Sequence, residues 1–246
     1  MRTVRAQAMG MIDGGYRNGG PGRWSGIGHD GDGTAPCDGG PRPLPAGFPE
    51  TIVACFTPGT MIQTREGDRA VETLGIGDPV MTRDRGVQPI RWIGDRSVTD
   101  FEMRRQPHLA PVRIARGALG PDLPDRDLIV SPQHRVLAAG PRAEMFFGED
   151  EVLVAAIHMV GQPGITRLPP APVRYLHLLF DRHEIVCSNG LWTESFQPTD
   201  RTLAGIGGAQ RAELAYLFPD LDALCGYTPA RRPLQPAEVR ALLPLD

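Results

Sequence analysis

A chain of 246 residues suits one large domain with tails or two small domains. Its formal net charge of −3 and 22% charged content offer no basic face for nucleic acid or an anionic membrane. All 26 basic residues are arginine, which excludes a Schiff-base lysine, a pyridoxal anchor and a Walker lysine.

Four cysteines, Cys37, Cys55, Cys187 and Cys225, are widely spaced and form no CxxC pair. That argues against a zinc ribbon and against a disulfide framework. No apolar run approaches a membrane span and no signal peptide is recognisable, which suits a cytoplasmic or non-classically exported chain.

Residues 1–50 hold 13 of the 30 glycines and lack apolar periodicity, so they read as a flexible Gly/Pro-rich leader. Order is expected from 51 onward. Ile52–Phe56 reads as a short buried strand, followed by the Pro58-Gly59 turn. Thr60–Thr64 alternates and breaks at Glu66-Gly67-Asp68, as a hairpin does. Further strands are expected at Pro79–Thr82, Gln88–Ile93, Asp127–Val130, Arg135–Ala138, Glu151–Ile157, Tyr175–Phe180 and Glu184–Cys187. Many short strands with turn residues between them indicate an all-β domain over 51–198. Over 199–246 the pattern changes: Ala209–Phe218 and Ala237–Leu243 read as two short helices that pack on the domain.

Cys55 lies where the leader meets the first strand. By itself, a lone cysteine in an apolar strand reads as a buried core residue. Two motifs change that reading. The first is Cys55-Phe56-Thr57-Pro58-Gly59-Thr60 with Val71-Glu72-Thr73-Leu74 and Gly77-Asp78-Pro79-Val80 downstream. The second is Leu128-Ile129-Val130-Ser131-Pro132-Gln133-His134, in which a hydroxyl and an imidazole three residues apart at a strand end can converge on one amide.

Together these segments resemble the Hedgehog/intein (Hint) domain family and its bacterial members, with Ser131 standing for threonine in the family's Thr-x-x-His motif. The resemblance implies a compact horseshoe-like fold of many short strands with a short α-helical C-terminal tail. It also implies self-processing: Cys55 sulfur attacks the carbonyl carbon of Ala54, giving a thioester as the Cys55 nitrogen leaves. On this reading His134 protonates the departing nitrogen and Ser131 holds the scissile amide. Oxyanion donors are not identifiable from sequence.

Tyr175–Asp181 and His183–Ser195 resemble the C-terminal segments of inteins. His177 falls where inteins often carry an acidic residue, and His177, Asp181 and His183 are candidate supporting residues. The positions aligned with the intein His-Asn pair are Glu194 and Ser195, neither of which forms a succinimide by the usual route, so protein splicing is not expected. Asn189-Gly190 reads as a turn. His134, His177 and His183 do not have the spacing of a zinc signature, so no metal and no cofactor is expected.

The substrate implied is the chain's own N-terminal segment, with water or a small nucleophile as acceptor and no nucleic-acid partner. Two other readings stay open: a catalytically weakened Hint fold serving as an interaction module, and a cysteine hydrolase acting in trans.

Overall fold

The computed structural model describes residues 54–199, 202–203, 206–217 and 228–243. The expected leader over 1–50 lies outside the described residues, as do Ile52 and Val53 of the expected first strand.

Short strands make up most of the described chain. They are β1 (Met61–Thr64), β2 (Gly67–Ala70), β3 (Pro79–Thr82), β4 (Gly86–Pro89), β5 (Trp92–Val98), β6 (Val112–Ile114), β7 (Leu128–Val130), β8 (Arg135–Ala139), β9 (Glu151–Ala155), β10 (Ile165–Arg167), β11 (Val173–Leu179), β12 (Ile185–Ser188), β13 (Leu191–Glu194) and β14 (Arg232–Pro233). Short helices occupy Asp100–Arg105, Pro141–Phe147, Ala156–Met159, Gly208–Leu217 and Pro236–Leu242. This is an all-β fold with a few helical connections and a helical tail.

The largest sheet runs β14-β9-β8-β13-β12-β1-β3-β4, with β2 paired to β1. Beside it stand a three-stranded sheet, β10-β6-β7, and the long antiparallel ribbon β11-β5. The segment read as one strand over Gln88–Ile93 is two: β4 ends at Pro89 on β3, and β5 begins at Trp92 on β11. Pro89 has no N–H to carry a ladder further, so the chain changes partners there. Glu151–Ile157 also divides, into β9 and the helix that starts at Ala156.

Apolar residues sort into two principal clusters. The larger holds Phe56, Ile62, Val80, Val130, Val136, Leu176 and Val186 among others. The second holds Cys55, Trp92, Val98, Met103, Leu109, Tyr175, Leu179, Phe196, Ile206 and Leu214. Neighbouring residues of an extended chain point to opposite sides, so Phe56 enters the first cluster and Cys55 the second. The tail contributes to both, through Leu214 in one and Val239 and Leu242 in the other. Its two-residue strand β14 pairs parallel with β9 and so covers that sheet edge.

Asn189-Gly190 forms the tight turn between β12 and β13, with φ of 47° and 76°, as the sequence implies. Its side chain does more than turn the chain. Asn189 Oδ1 accepts from Met61 N at 2.7 Å and Nδ2 donates to Asp127 O at 2.9 Å, tying β12–β13 to the starts of β1 and β7. Asn189→Ala strands a buried donor and acceptor, so unfolding free energy falls by about 2–3 kcal/mol, read from urea denaturation.

Candidate active site

One residue's pairing assembles the site. Phe56 bridges antiparallel to Val130 at the end of β7 and to Leu176 in β11. It exchanges both backbone hydrogen bonds with Leu176, each 2.9 Å. In an antiparallel pair, stepping back along one strand steps forward along the other. Cys55 therefore falls beside Ser131 on one flank and His177 on the other. A slip of one residue would turn Cys55 into the opposite cluster. The turn that follows is fastened by threonine hydroxyls: Thr57 Oγ1 donates to Ile129 O and Thr60 Oγ1 to Thr57 O, both at 2.8 Å.

Ser131 grips Cys55 at two points. Its Oγ accepts from Cys55 N at 3.0 Å, and its own N–H donates to Cys55 O at 3.0 Å. His177 touches the other side. Its Nε2 lies 3.7 Å from Cys55 Sγ and its Nδ1 lies 3.0 Å from Ala54 O. A carbonyl oxygen only accepts, so Nδ1 carries the proton in neutral His177 and Nε2 offers its lone pair to the thiol. One imidazole thus contacts both the sulfur and the oxygen of the Ala54–Cys55 junction.

The surroundings are dry. Cys55 is 3% exposed and His177 2%. Burial pushes the Cys55 thiol well above its ordinary range, opposed by the Ser131 hydroxyl and the Arg96 charge. Burial lowers His177 to about 4, against the hydrogen bond to Ala54. Both groups are therefore neutral at rest, and any thiolate must form in concert with proton transfer.

His134 occupies the turn after β7. Its N–H donates to Ser131 O at 3.1 Å, and its ring packs edge-on to Phe56 with centroids 4.5 Å apart. Neither ring nitrogen has a hydrogen-bond partner among the described residues. Burial is the main cause that lowers His134 to about 4.

Each of these histidines stays unprotonated when folded down to about pH 4, yet takes a proton near 6.5 when unfolded. The unfolded chain then binds more protons between those values, so stability falls as pH drops from 6.5 toward 4. Urea midpoints measured at pH 7.5, 5.5 and 4.5 should decline in that order. A constant midpoint would contradict this burial.

The other candidates are placed elsewhere. Asp181 forms an exposed ion pair with Arg91 at 2.7 Å. His183 is buried, but its Nδ1 accepts from Ala230 N at 2.9 Å and its Nε2 faces Glu194 Oε2 at 3.3 Å. Glu194 also receives Arg135 N and Nη1, each at 2.9 Å. Burial opposes its charge, but the His183 contact and the Arg135 charge prevail and hold the carboxyl below its ordinary range. Ser195 Oγ accepts from Glu184 N at 2.9 Å. Cys187 is a free buried thiol raised to about 12, chiefly by desolvation. Among the described residues no group of three His, Cys, Asp or Glu side chains is placed to hold a metal ion.

The family model described as "Hint domain" matches residues 54–200. The chain belongs to the Hint domain family. Its fold is similar to that of a bacterial intein-like domain from Clostridium thermocellum, at 14% identity and TM-score 0.40, covering 59% of this chain and 99% of that one. It is also similar to the gp41-1 intein, at 11% identity and TM-score 0.34, covering 57% and 97%. The AceL NrdHF class 3 split intein gives 14% identity and TM-score 0.36 over 58% and 97%. No curated protein matches.

The chain continues to pack beyond β13. Phe196 N donates to Leu178 O at 2.8 Å, and the chain runs on into the tail. There the helix Gly208–Leu217 places Leu214 in the cluster that holds Cys55, and Glu213 Oε2 accepts from Trp92 Nε1 at 3.2 Å. The contact of His177 with both junction atoms is not legible in the sequence. The sequence places His177 within a strand, but only the pairing of Phe56 with Leu176 puts it against Cys55.

Proposed function

We propose that this Hint domain processes itself by an N–S acyl shift at Ala54–Cys55, giving a thioester that an acceptor resolves without protein splicing. The observation that carries the proposal is the single imidazole of His177 in contact with both Cys55 Sγ and Ala54 O.

The sulfur bonds to the Ala54 carbonyl carbon while Nε2 of His177 takes the thiol proton. The Nδ1–H of His177 stays on the oxygen that becomes the oxyanion, where a fixed donor in a dry site is most effective. The C–N bond then breaks as the proton that His177 took from sulfur passes to His134, and the His134 imidazolium so formed delivers it to the Cys55 nitrogen. The proton lost by sulfur equals the one gained by nitrogen, so the shift is neutral overall. Ser131 keeps the amide oriented throughout. Burial of Cys55 does not oppose this first step, because the bond attacked is the residue's own.

An amide-to-thioester exchange runs uphill, so product accumulates only when water, a thiol or an amine consumes the thioester. Glu194 and Ser195, which the resemblance aligns with the His-Asn pair, are committed to an ion pair with Arg135 and a hydrogen bond from Glu184 N, which supports a reading without splicing.

The test uses the full chain tagged at both ends, followed on a gel with and without dithiothreitol. Self-processing gives thiol-promoted loss of residues 1–54, slowed about 10²–10⁴-fold in His134→Ala. A binding module gives an intact chain in every lane. A hydrolase acting in trans gives an intact chain that cleaves added thioesters.

A further inference from the structure

We propose that Gly94 is a positioning residue for His177, a role that rests on the self-processing reading above. Gly94 lies opposite His177 in the β5–β11 ribbon. A glycine in the middle of a strand weakens it, and usually marks a close approach of another group. Gly94 does not adopt a positive φ, so backbone conformation does not demand it. Space does.

A Cβ built at position 94 would lie 2.3 Å from Trp92 Cη2, 2.7 Å from Trp92 Cζ3 and 2.8 Å from His177 Cδ2. The indole and imidazole rings lie nearly parallel there, 16° apart with centroids at 6.4 Å. Phe196 packs against both rings, its centroid 5.4 Å from that of His177 and 5.8 Å from that of Trp92. The imidazole, 2% exposed, thus packs against the bare backbone of Gly94 and two aromatic rings.

Cδ2 is bonded to Nε2, the atom that faces Cys55 Sγ. A methyl group at 94 presses on Cδ2 of a ring that is buried and held at both nitrogens, by Cys55 Sγ and Ala54 O. The ring must tilt, which changes the Nε2–Sγ and Nδ1–O contacts together. A misplacement approaching 1 Å at such a centre costs about 10²-fold in rate.

The Trp92 contact makes a plain Gly94→Ala variant ambiguous, since it crowds a core indole as well. Trp92→Phe removes Cη2 and Cζ3 and leaves the His177 contact in place. The experiment therefore compares the full chain carrying Trp92→Phe with the same chain carrying Trp92→Phe and Gly94→Ala.

Both should fold with matching circular dichroism, and the double variant should cleave about 10²-fold more slowly. Equal cleavage rates would overturn the proposal, because relieving the indole would then have been enough. A second readout does not depend on cleavage. In a Cys55→Ala background, nitrogen-15 NMR should show His177 as the Nδ1–H tautomer with a hydrogen-bonded proton, and that proton should be lost on adding Trp92→Phe and Gly94→Ala. Its persistence would also overturn the proposal. A wild-type chain that never cleaves would defeat the self-processing reading instead, leaving the NMR comparison to decide the role of Gly94.

Discussion

Cys55→Ala is expected to leave every chain intact, with or without added thiol, while the domain remains folded. The substitution removes one sulfur atom from the apolar cluster of Trp92, Tyr175 and Phe196. Such a small deletion costs on the order of 1 kcal/mol. The backbone hydrogen bonds that place the junction, Cys55 N to Ser131 Oγ and Ser131 N to Cys55 O, do not involve the side chain. Geometry survives and the nucleophile does not. Circular dichroism and a two-tag gel on the same sample separate those outcomes. Residual cleavage at wild-type rate would assign the reaction to another group.

His177→Ala is expected to slow cleavage by about 10³–10⁵-fold. Loss of a proton-transfer group costs about 10²–10⁴-fold, and loss of an oxyanion donor about 10²–10³-fold. The two effects do not simply multiply, because one ring supplies both and they act as a unit. His177→Asn distinguishes them. Its side-chain amide can present an N–H near the position of Nδ1 but nothing basic near Nε2. It should therefore recover part of the activity lost in His177→Ala. Single-turnover rates with saturating thiol measure this, and equal rates for the two variants would remove the oxyanion role.

Local signals in the sequence carried much of the fold and part of the site. Alternation and turn residues mark most strands, and Asn189-Gly190 marks its own turn. The helix Pro236–Leu242 is announced by Pro236 at its first position. Yet the helix Asp100–Arg105 does not show in the apolar pattern, although Thr99 and Glu102 form a reciprocal capping box. Nor does Pro141–Phe147, with Pro141 at its start and Gly148 in a left-handed cap. Both are too short for helical periodicity to emerge.

At the site, Cys55, Ser131 and His134 are recognisable because their motif is contiguous or closely spaced. The contacts of His177 are set by pairing across 122 residues, which spacing alone does not encode. The same holds for Gly94, whose role depends on which residue faces it. His183 and Glu194 are legible as a histidine and an acid, but their mutual pairing, reinforced by Arg135, comes only from the packing of β8, β12 and β13.

The most direct test of the central claim is the intact mass of both products after incubation of the full chain with dithiothreitol. The account predicts one fragment comprising residues 1–54 with dithiothreitol esterified to the Ala54 carbonyl, and a second beginning with a free Cys55 amine. A cut at any other bond, or a chain of unchanged mass under conditions where the domain is folded, would contradict it.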